Sequence, residues 1–272
     1  MKAFIIYMPE SPLSVGLVND CLQSIINTKT DLQIELFKAI TPKTLDDEWK
    51  ACFSGNTWKC MWLPAAGEES LVNGMYVHKG HRTTWLERRV SCFLSHYKLW
   101  KKSQEINKEI LILEHDAHFV RNFSFEKIKR FFTADILSLV DPRFATFIDA
   151  EKSIQEIYKE KSSWNESINL GFCLDTHIRN IFFTKQSFCV DIDCLLSNSA
   201  YVIKPNVAVK VDKWVMQYNN VIQNDAFLNS LCSVQSIFPY ATSISTTCKT
   251  LDKRVKNSSV TIEAFDNFNI WE

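Results

Sequence analysis

The start of the chain shows two alternating hydrophobic patterns. Residues 2–8 form a short, mostly apolar run, apolar side chains recur at helical spacing over 16–29, and a second apolar run covers 32–40. The short runs are typical of strands, and the helical spacing is typical of an amphipathic helix. Strand, helix and strand in this order predict the βαβ unit of a parallel sheet.

The same patterns return after a long irregular stretch. Prolines and glycines are scattered among tryptophans and charges over 41–84, which predicts a long functional or mobile loop. A helix is predicted over 86–107, followed at 109–113 by a continuous aliphatic run of the kind found in a strand covered on both faces. Another strand is predicted at 134–140, and a strand that turns into a helix at 198–216.

Length, composition and charge narrow the class of protein. The chain has 272 residues, of which 46% are hydrophobic, and this allows one large core. We therefore expect a single domain over 1–272. The 31 basic residues balance 31 acidic ones, so no overall positive field directs the protein to nucleic acid or anionic lipid.

The cysteines and the first residues indicate the compartment. The nine cysteines are odd in number and include no C-x-x-C pair, which argues against a disulfide framework and against a structural zinc site. The opening apolar run is too short for a signal peptide or a membrane span. We therefore expect a cytoplasmic protein with no transmembrane segment.

Two acids follow the strand predicted at 109–113. Glu114 and Asp116 stand at its carboxyl end, which is where open α/β sheets bind ligands. Because side-chain direction alternates along a strand, the two acids are expected to point the same way and His115 the other way. Carboxylate oxygens suit Mg²⁺ and Mn²⁺, so the pair is a candidate site for one divalent ion. Simple solvation of a strand end is the alternative, and no metal-binding spacing involves His115 or His118.

The predicted helix and strand before these acids resemble a known family. The sequence RRVSCFLSHYKLWKKSQEINKEILILEHDAHFV is similar to the central signature of glycosyltransferase family 25, whose members assemble lipooligosaccharide or galactosylate collagen hydroxylysine. The matching positions are Cys92, Phe93, Leu94, Ser95, His96, Trp100, Ile112, Leu113, Glu114, Asp116 and Ala117.

Further segments extend the resemblance in the same order along the chain. ELFKAIT and ADILSL resemble two strands of the family, SAYVIKPNVAVKV resembles its Ala-Tyr-x-Ile stretch, and VIQNDAFLNSL with FPYATSIS resembles its closing helix and tail. Together the segments span roughly 2–247. The chain also departs from the family, because His115 replaces its middle Asp, Arg89 and Ser91 replace an acid and a glycine, and 149–198 has no counterpart.

The resemblance implies a fold and a reaction. The implied fold is α/β and GT-A-like, a Rossmann-like mixed sheet flanked by helices, with a nucleotide-sugar-binding half over 1–120 and an acceptor half over 121–272. The implied enzyme is a glycosyltransferase that moves a hexose or pentose from a nucleotide sugar to an acceptor hydroxyl. A UDP-sugar is the expected donor, and inversion at the anomeric carbon is the expected outcome.

The resemblance also implies a bound Mn²⁺ or Mg²⁺ as cofactor. Such an ion neutralises the charge that develops on the departing nucleoside diphosphate. Asp116 is the expected metal ligand. Glu114 is expected either to ligate the metal through water or to hold the ribose of the donor.

The remaining candidate residues are assigned to the donor and to proton transfer. His96, Ser95 and Arg82 are expected to contact the donor, with a buried packing role as the alternative for His96 and a solvated loop as the alternative for Arg82. Asp225 stands at the start of a helix predicted over 222–232. It is the candidate general base for the acceptor hydroxyl, and its alternative role is that of a helix N-cap.

The sequence leaves alternatives open for the acceptor and for the activity. A glycan or lipooligosaccharide is the expected acceptor, and the alternatives are a protein hydroxyl and a hydroxymethylated base in viral DNA. DNA would require a local basic surface. The candidates for it are Lys127, Lys129, Arg130, Lys253, Arg254 and Lys256. The departures from the family motivate a different class, a non-catalytic module that binds a nucleotide sugar, and the acid cluster alone supports a third option, a metal-dependent hydrolase.

Overall fold

One mixed sheet with helices on both faces forms the centre of the computed structural model of the chain. The structure describes residues 1–54, 58, 69–72, 75–78, 83–140, 173–174, 180–183, 188–191, 198–218, 224, 228, 231–237 and 240–245. The strands are β1 (Lys2–Tyr7), β2 (Gln33–Lys38), β3 (Glu69–Val72), β4 (Met75–His78), β5 (Ile110–Glu114), β6 (Ala117–Phe119), β7 (Ile136–Ser138), β8 (Cys173–Leu174), β9 (Asn180–Phe183), β10 (Phe188–Asp191), β11 (Ala200–Ile203), β12 (Val234–Ser236) and β13 (Thr242–Ile244). The helices are α1 (Pro12–Asn27), α2 (Leu45–Phe53), α3 (Thr83–Ile106), α4 (Phe125–Ile128) and α5 (Val207–Tyr218), with a 3₁₀ turn at Lys129–Phe131.

In the described part of the chain, the main sheet has seven strands in the order β2-β1-β5-β11-β7-β12-β8. Strand β1 is parallel to β2 and to β5, and β7 is parallel to β12. Strand β11 is antiparallel to both of its neighbours, β5 and β7. As a result β1, β2, β5, β7 and β12 all end at the same edge of the sheet, where ligands of α/β proteins bind.

The two faces of the sheet are covered by different helices. Alternate residues of each central strand point to opposite faces, so Ile110 and Ile112 of β5 pack under α3 while Leu111 and Leu113 pack under α1. Four of the five residues of β5, all but Glu114, are buried, as expected for a strand between two layers of helices. The buried side chains that α3 adds to its layer are Val90, Phe93, Leu94, Tyr97, Leu99 and Trp100.

Helix α1 begins and docks through local side-chain bonds. Ser11 is its N-cap and accepts a hydrogen bond from the N–H of Ser14, with Pro12 in the first turn, where its missing N–H costs nothing. Ser24 on the buried face accepts a hydrogen bond of 2.9 Å from the N–H of Phe119 in β6. This bond ties α1 to the short strand that follows the acidic motif.

The prediction of an irregular stretch over 41–84 is wrong for its first part. Helix α2 lies there, and β3 pairs with β4 further along. The helix has acids in its first turn, which suit the positive end of a helix dipole, and it buries Leu45, Trp49 and Phe53 at a spacing of four. The helix is only 9 residues long and is flanked by prolines and glycines, so its apolar spacing is a weak signal in the sequence.

The other predicted elements are found within a few residues of their expected bounds. The α/β class and the mixed sheet flanked by helices are confirmed. The helix predicted over 222–232 falls mostly outside the described residues, although positions 224, 228 and 231 are helical. In the part of the chain that the structure describes, no helix combines the length and the apolar character that crossing a membrane requires.

Candidate functional site

The candidate site lies where β5 ends. The strand stops at Glu114, residues His115 and Asp116 form a turn, and β6 begins at Ala117. The main chain of Glu114 is fixed by a 2.8 Å hydrogen bond from its N–H to the carbonyl of Ser199, just before β11. The motif is therefore held at the edge of the sheet at which five strands end.

Glu114 is held by a histidine of α3. The Nε2 atom of His96 lies 3.1 Å from Oε1 of Glu114, and the side chains are 1% and 32% exposed, respectively. Within the described residues the structure gives Oε2 of Glu114 no partner. Among the described residues, His96 thus holds one carboxylate oxygen and the other is left for a ligand.

His96 is itself anchored by two aromatic residues. Its Nδ1 lies 2.7 Å from the hydroxyl of Tyr201 in β11, and the same hydroxyl accepts a 2.8 Å hydrogen bond from Nε1 of Trp100. The rings of His96 and Tyr201 are stacked, with centroids 5.8 Å apart and planes 14° apart. All three side chains are buried.

This environment keeps Glu114 charged. Burial raises the pKa of Glu114, but the hydrogen bond from His96 and the electrostatic effects of His96 and His115 lower it, and the net direction is downward. Burial raises the pKa of Tyr201 well above its usual value, so its hydroxyl keeps its proton. Glu114 is therefore a carboxylate at neutral pH beside a neutral phenol.

Asp116 lies on the other side of the turn, beside α1. Its carbonyl accepts a 2.9 Å hydrogen bond from the N–H of Ser245, which follows β13. Burial and the charge of Asp116 raise the pKa of Cys21, a buried residue of α1, to about 12. Glu114 is thus bonded to α3, whereas Asp116 is close to α1. The alternation that predicted a common direction applies to an unbroken strand and does not extend across the turn.

Three possible metal ligands come together around His96. The ligating atoms of Cys92, His96 and Glu114 lie within 4.8 Å of one another, and Asp116 is not part of this group. Sequence reasoning missed Cys92, although Cys92 and His96 are four residues apart and so share one face of α3.

The chemistry of these groups separates two kinds of ion. A thiolate and an imidazole suit a thiophilic ion such as Zn²⁺, whereas Mg²⁺ and Mn²⁺ prefer oxygen. Both ring nitrogens of His96 already have hydrogen-bond partners, and ligation through Nε2 would release Glu114. Within this group, the carboxylate of Glu114 is the ligand that Mg²⁺ or Mn²⁺ would prefer.

The remaining predicted site residues are Ser95, Arg82 and Asp225, and the structure describes only the first of them. Ser95 is buried, and its hydroxyl donates to the carbonyl of Ser91 and accepts from the N–H of Ile40, each at 2.8 Å. Ser95 therefore holds α3 against the segment after β2, and its role in donor binding stays a prediction. Arg82 and Asp225 lie outside the described residues.

Two residues of the site were not assigned a polar role from the sequence. Tyr201 and Trp100 both lie in segments that resemble the family, but their hydroxyl and indole contacts join positions 101 and 105 residues apart along the chain. No local pattern signals such a contact, since it depends on β11 lying beside β5.

Comparison with known proteins gives a family and several distant structures. The model of the family described as Glycosyltransferase family 25 (LPS biosynthesis protein) matches residues 19–228. No curated protein matches the chain. Among solved structures, galactosyltransferase LgtC in complex with donor and acceptor sugar analogues is 11% identical, with 90% of this chain and 87% of that chain covered and a TM-score of 0.38. Mouse xyloside xylosyltransferase 1 in its apo form is 9% identical, with coverages of 84% and 81% and a TM-score of 0.36. A nucleoside-diphosphate-sugar pyrophosphorylase from Vibrio cholerae RC9 is 11% identical, with coverages of 91% and 93% and a TM-score of 0.32.

Proposed function

The chain belongs to glycosyltransferase family 25, and we propose that this glycosyltransferase moves a sugar from a UDP-sugar to an acceptor hydroxyl, with inversion and with the help of a divalent metal ion. The observation that carries the proposal is the carboxylate of Glu114, which His96 holds at the end of a central strand through one oxygen, with the other unpaired among the described residues. In α/β sheets this edge is the place where ligands bind. The GT-A-like character of the sheet follows from the family.

The carboxylates of the turn region are proposed to serve the metal and the donor. Asp116 is the proposed main ligand of Mn²⁺ or Mg²⁺, and Glu114 is the second ligand or the acceptor of a ribose hydroxyl. When bound, the ion neutralises charge on the departing nucleoside diphosphate, which is worth several kcal/mol of transition-state stabilisation. His96 keeps Glu114 oriented and charged, so the site does not have to order this group when the donor arrives.

The acceptor hydroxyl requires a base on its own side of the sugar. Asp225 is the proposed base, from its place in the segment that resembles the closing helix of the family. A positioned carboxylate supplies roughly 10²–10⁴-fold in rate. The proposed single domain over 1–272 has a donor half at 1–120 and an acceptor half at 121–272, and Asp225 lies in the acceptor half.

The proposed acceptor is a glycan, with lipooligosaccharide as its first candidate. The description of the matching family, an LPS biosynthesis protein, supports this choice. The balanced charge of the chain gives no support to a DNA acceptor. The location inside the cell remains a prediction from the sequence.

Turnover of donors tests the proposal directly. The protein is incubated with Mn²⁺ and a panel of nucleotide sugars, and release of the nucleoside diphosphate is followed with and without a chelator. We expect slow hydrolysis of a UDP-sugar that stops with chelator and in Asp116→Ala, and continues in Asp47→Ala, which removes an exposed carboxylate of α2. Tight donor binding that needs no metal and gives no hydrolysis in any variant would contradict the proposal and favour the non-catalytic module.

A further inference from the structure

A chain of hydrogen bonds runs beneath Glu114 through three buried side chains. The indole N–H of Trp100 can donate but cannot accept, so the hydroxyl oxygen of Tyr201 must be the acceptor of that 2.8 Å bond. The single proton of Tyr201 is then free to be donated to its other neighbour, Nδ1 of His96, at 2.7 Å. If Tyr201 donates to Nδ1, the proton of a neutral imidazole is on Nε2.

The other end of this chain of hydrogen bonds fits the same arrangement. Nε2 of His96 faces Oε1 of Glu114 at 3.1 Å, and a carboxylate can accept a hydrogen bond but cannot donate one. With the proton on Nδ1 instead, a nitrogen lone pair would face the carboxylate, and the proton of Tyr201 would have no acceptor among the described residues. Every donor from Trp100 to His96 therefore points towards Glu114.

We propose that Tyr201 and Trp100 are positioning residues, which fix the orientation and the Nε2–H tautomer of His96 so that one oxygen of Glu114 is held and the other is presented to the donor or its metal ion. The effect on donor binding rests on the proposed function, because the carboxylate of Glu114 is oriented before the donor binds. Pre-orientation matters because a side chain that is already ordered loses less conformational entropy when the ligand binds. The deep burial of His96, Tyr201 and Trp100, each 1% exposed, keeps water from taking the place of either partner.

The variant Tyr201→Phe removes the hydroxyl and keeps the ring. Tyr97→Phe is the matched control, because Tyr97 is also buried and also uses its hydroxyl, on Asp212 of α5, without bonding to His96 or Glu114. Thermal unfolding of both variants establishes that each is folded before either measurement is made. Both changes delete one buried, hydrogen-bonded oxygen, so a general loss of stability affects them alike.

The first measurement is nitrogen-15 NMR of the imidazole groups at neutral pH without donor, with the His96 signals identified by their loss in His96→Gln. We expect the His96 proton on Nε2 and a hydrogen-bonded Nδ1 in the wild type and in Tyr97→Phe, and an Nδ1 signal moved towards that of an unbonded nitrogen in Tyr201→Phe. A wild-type proton on Nδ1 overturns the proposal.

The second measurement is calorimetric binding of UDP with Mn²⁺. Loss of a group that orients a ligating side chain typically costs about 10–100-fold in affinity, so we expect a loss of that size in Tyr201→Phe and none in Tyr97→Phe. Equal affinities for the two variants overturn the positioning role. A wild type that binds no nucleotide contradicts the proposed function instead, and the NMR result then decides the arrangement of His96 alone.

Discussion

At the scale of single residues, two buried serines of α3, one turn apart, differ in the hydrogen bonding of their hydroxyl groups. The Ser95 hydroxyl is the acceptor for the buried N–H of Ile40, whereas the Ser91 hydroxyl is buried with no hydrogen-bond partner among the described residues. We expect Ser95→Ala to lower the free energy of unfolding by about 1–3 kcal/mol, because it leaves a buried N–H unsatisfied. Ser91→Ala is the control and should be neutral or stabilising. Urea unfolding of both variants measures the difference, and equal stabilities would contradict it.

A second residue-scale prediction concerns Asp135, near the start of β7. Burial raises the pKa of Asp135, but hydrogen bonds from Lys210, the N–H of Ser233 and the amide of Asn206 lower it, and the net direction is downward. A carboxyl whose pKa is lower in the folded state stabilises the fold above its unfolded-state pKa of about 3.9, and this stabilisation is lost as the pH falls through the folded value. The group therefore contributes at neutral pH and not in strong acid.

Asp135→Asn tests this sign. It replaces an acceptor-only group with one that carries donors, opposite Lys210 and Ser233, and we expect it to lower the free energy of unfolding by about 1–3 kcal/mol at neutral pH. Denaturant unfolding at a series of pH values should show the gap to the wild type closing below about pH 4. A gap that stays constant or widens in acid would refute the assignment.

The residue scale also shows what the sequence could and could not predict about the site. Glu114 and His96 were found from the end of an aliphatic run and from the family signature, and the structure brings them together. Tyr201 and Trp100 were given no polar role, because their contact depends on how α3 and β11 pack. For Cys92 a local signal exists, its position one turn before His96 on the same face of α3. The sequence shows which side chains are polar, but contacts between side chains that are far apart along the chain depend on the fold.

At the scale of elements, α2 is the clearest case of a helix fixed by packing. Trp49 is 1% exposed, and its ring centroid lies 4.4 Å from that of Phe53, which in turn contacts Tyr97 of α3. We expect Trp49→Ala to destabilise the protein by about 3–5 kcal/mol, since it removes a large buried side chain and leaves a cavity. The exposed neighbour Lys50 provides the control Lys50→Ala, with an expected effect within about 0.5 kcal/mol.

Urea unfolding followed by tryptophan fluorescence and by circular dichroism measures this loss. Agreement of the two signals is the check that unfolding remains one transition. A loss for Trp49→Ala no larger than that for Lys50→Ala would mean that α2 contributes little to the stability of the fold.

Elements were predictable in proportion to their length and regularity. Strand β5 and helix α3 follow strong patterns and were found, as was the three-residue β7 within the apolar run at 134–140. Strands β6, β12 and β13 also have three residues each, but no such run marks them. The turn at residues 115 and 116 was missed for a related reason. The acidic motif was treated as a continuation of β5, so its alternation was extended past the end of the strand.

At the scale of the whole molecule, the class of fold was predictable and the order of strands was not. The βαβ rhythm at the start predicted a parallel sheet, and β2, β1 and β5 follow it. Strand β11 then lies antiparallel between β5 and β7, far from either along the chain. That position of β11 brings Tyr201 into contact with His96. The contact completes the candidate site, and no local sequence pattern encodes it.

The balanced charge of the molecule gives a prediction about its acceptor. With 31 basic and 31 acidic residues the chain has no net charge to attract a polyanion. We expect turnover of a glycan acceptor to change little between 50 and 200 mM salt, whereas an acceptor bound through 6–10 phosphate contacts would lose roughly 10³–10⁵-fold in affinity over that range. Measuring the KM for the acceptor at both salt concentrations decides between a glycan and DNA.

The central claim is that the carboxyl end of β5 binds the donor, and two glutamates of similar exposure at opposite ends of this strand test it. Glu114 is 32% exposed and Glu109, which precedes the strand and pairs with Lys129, is 26% exposed. Calorimetric titration of UDP with Mn²⁺ is carried out on the wild type, Glu114→Gln and Glu109→Gln. The account predicts at least about a tenfold loss of affinity in Glu114→Gln and none in Glu109→Gln. Equal affinity in all three proteins would contradict it.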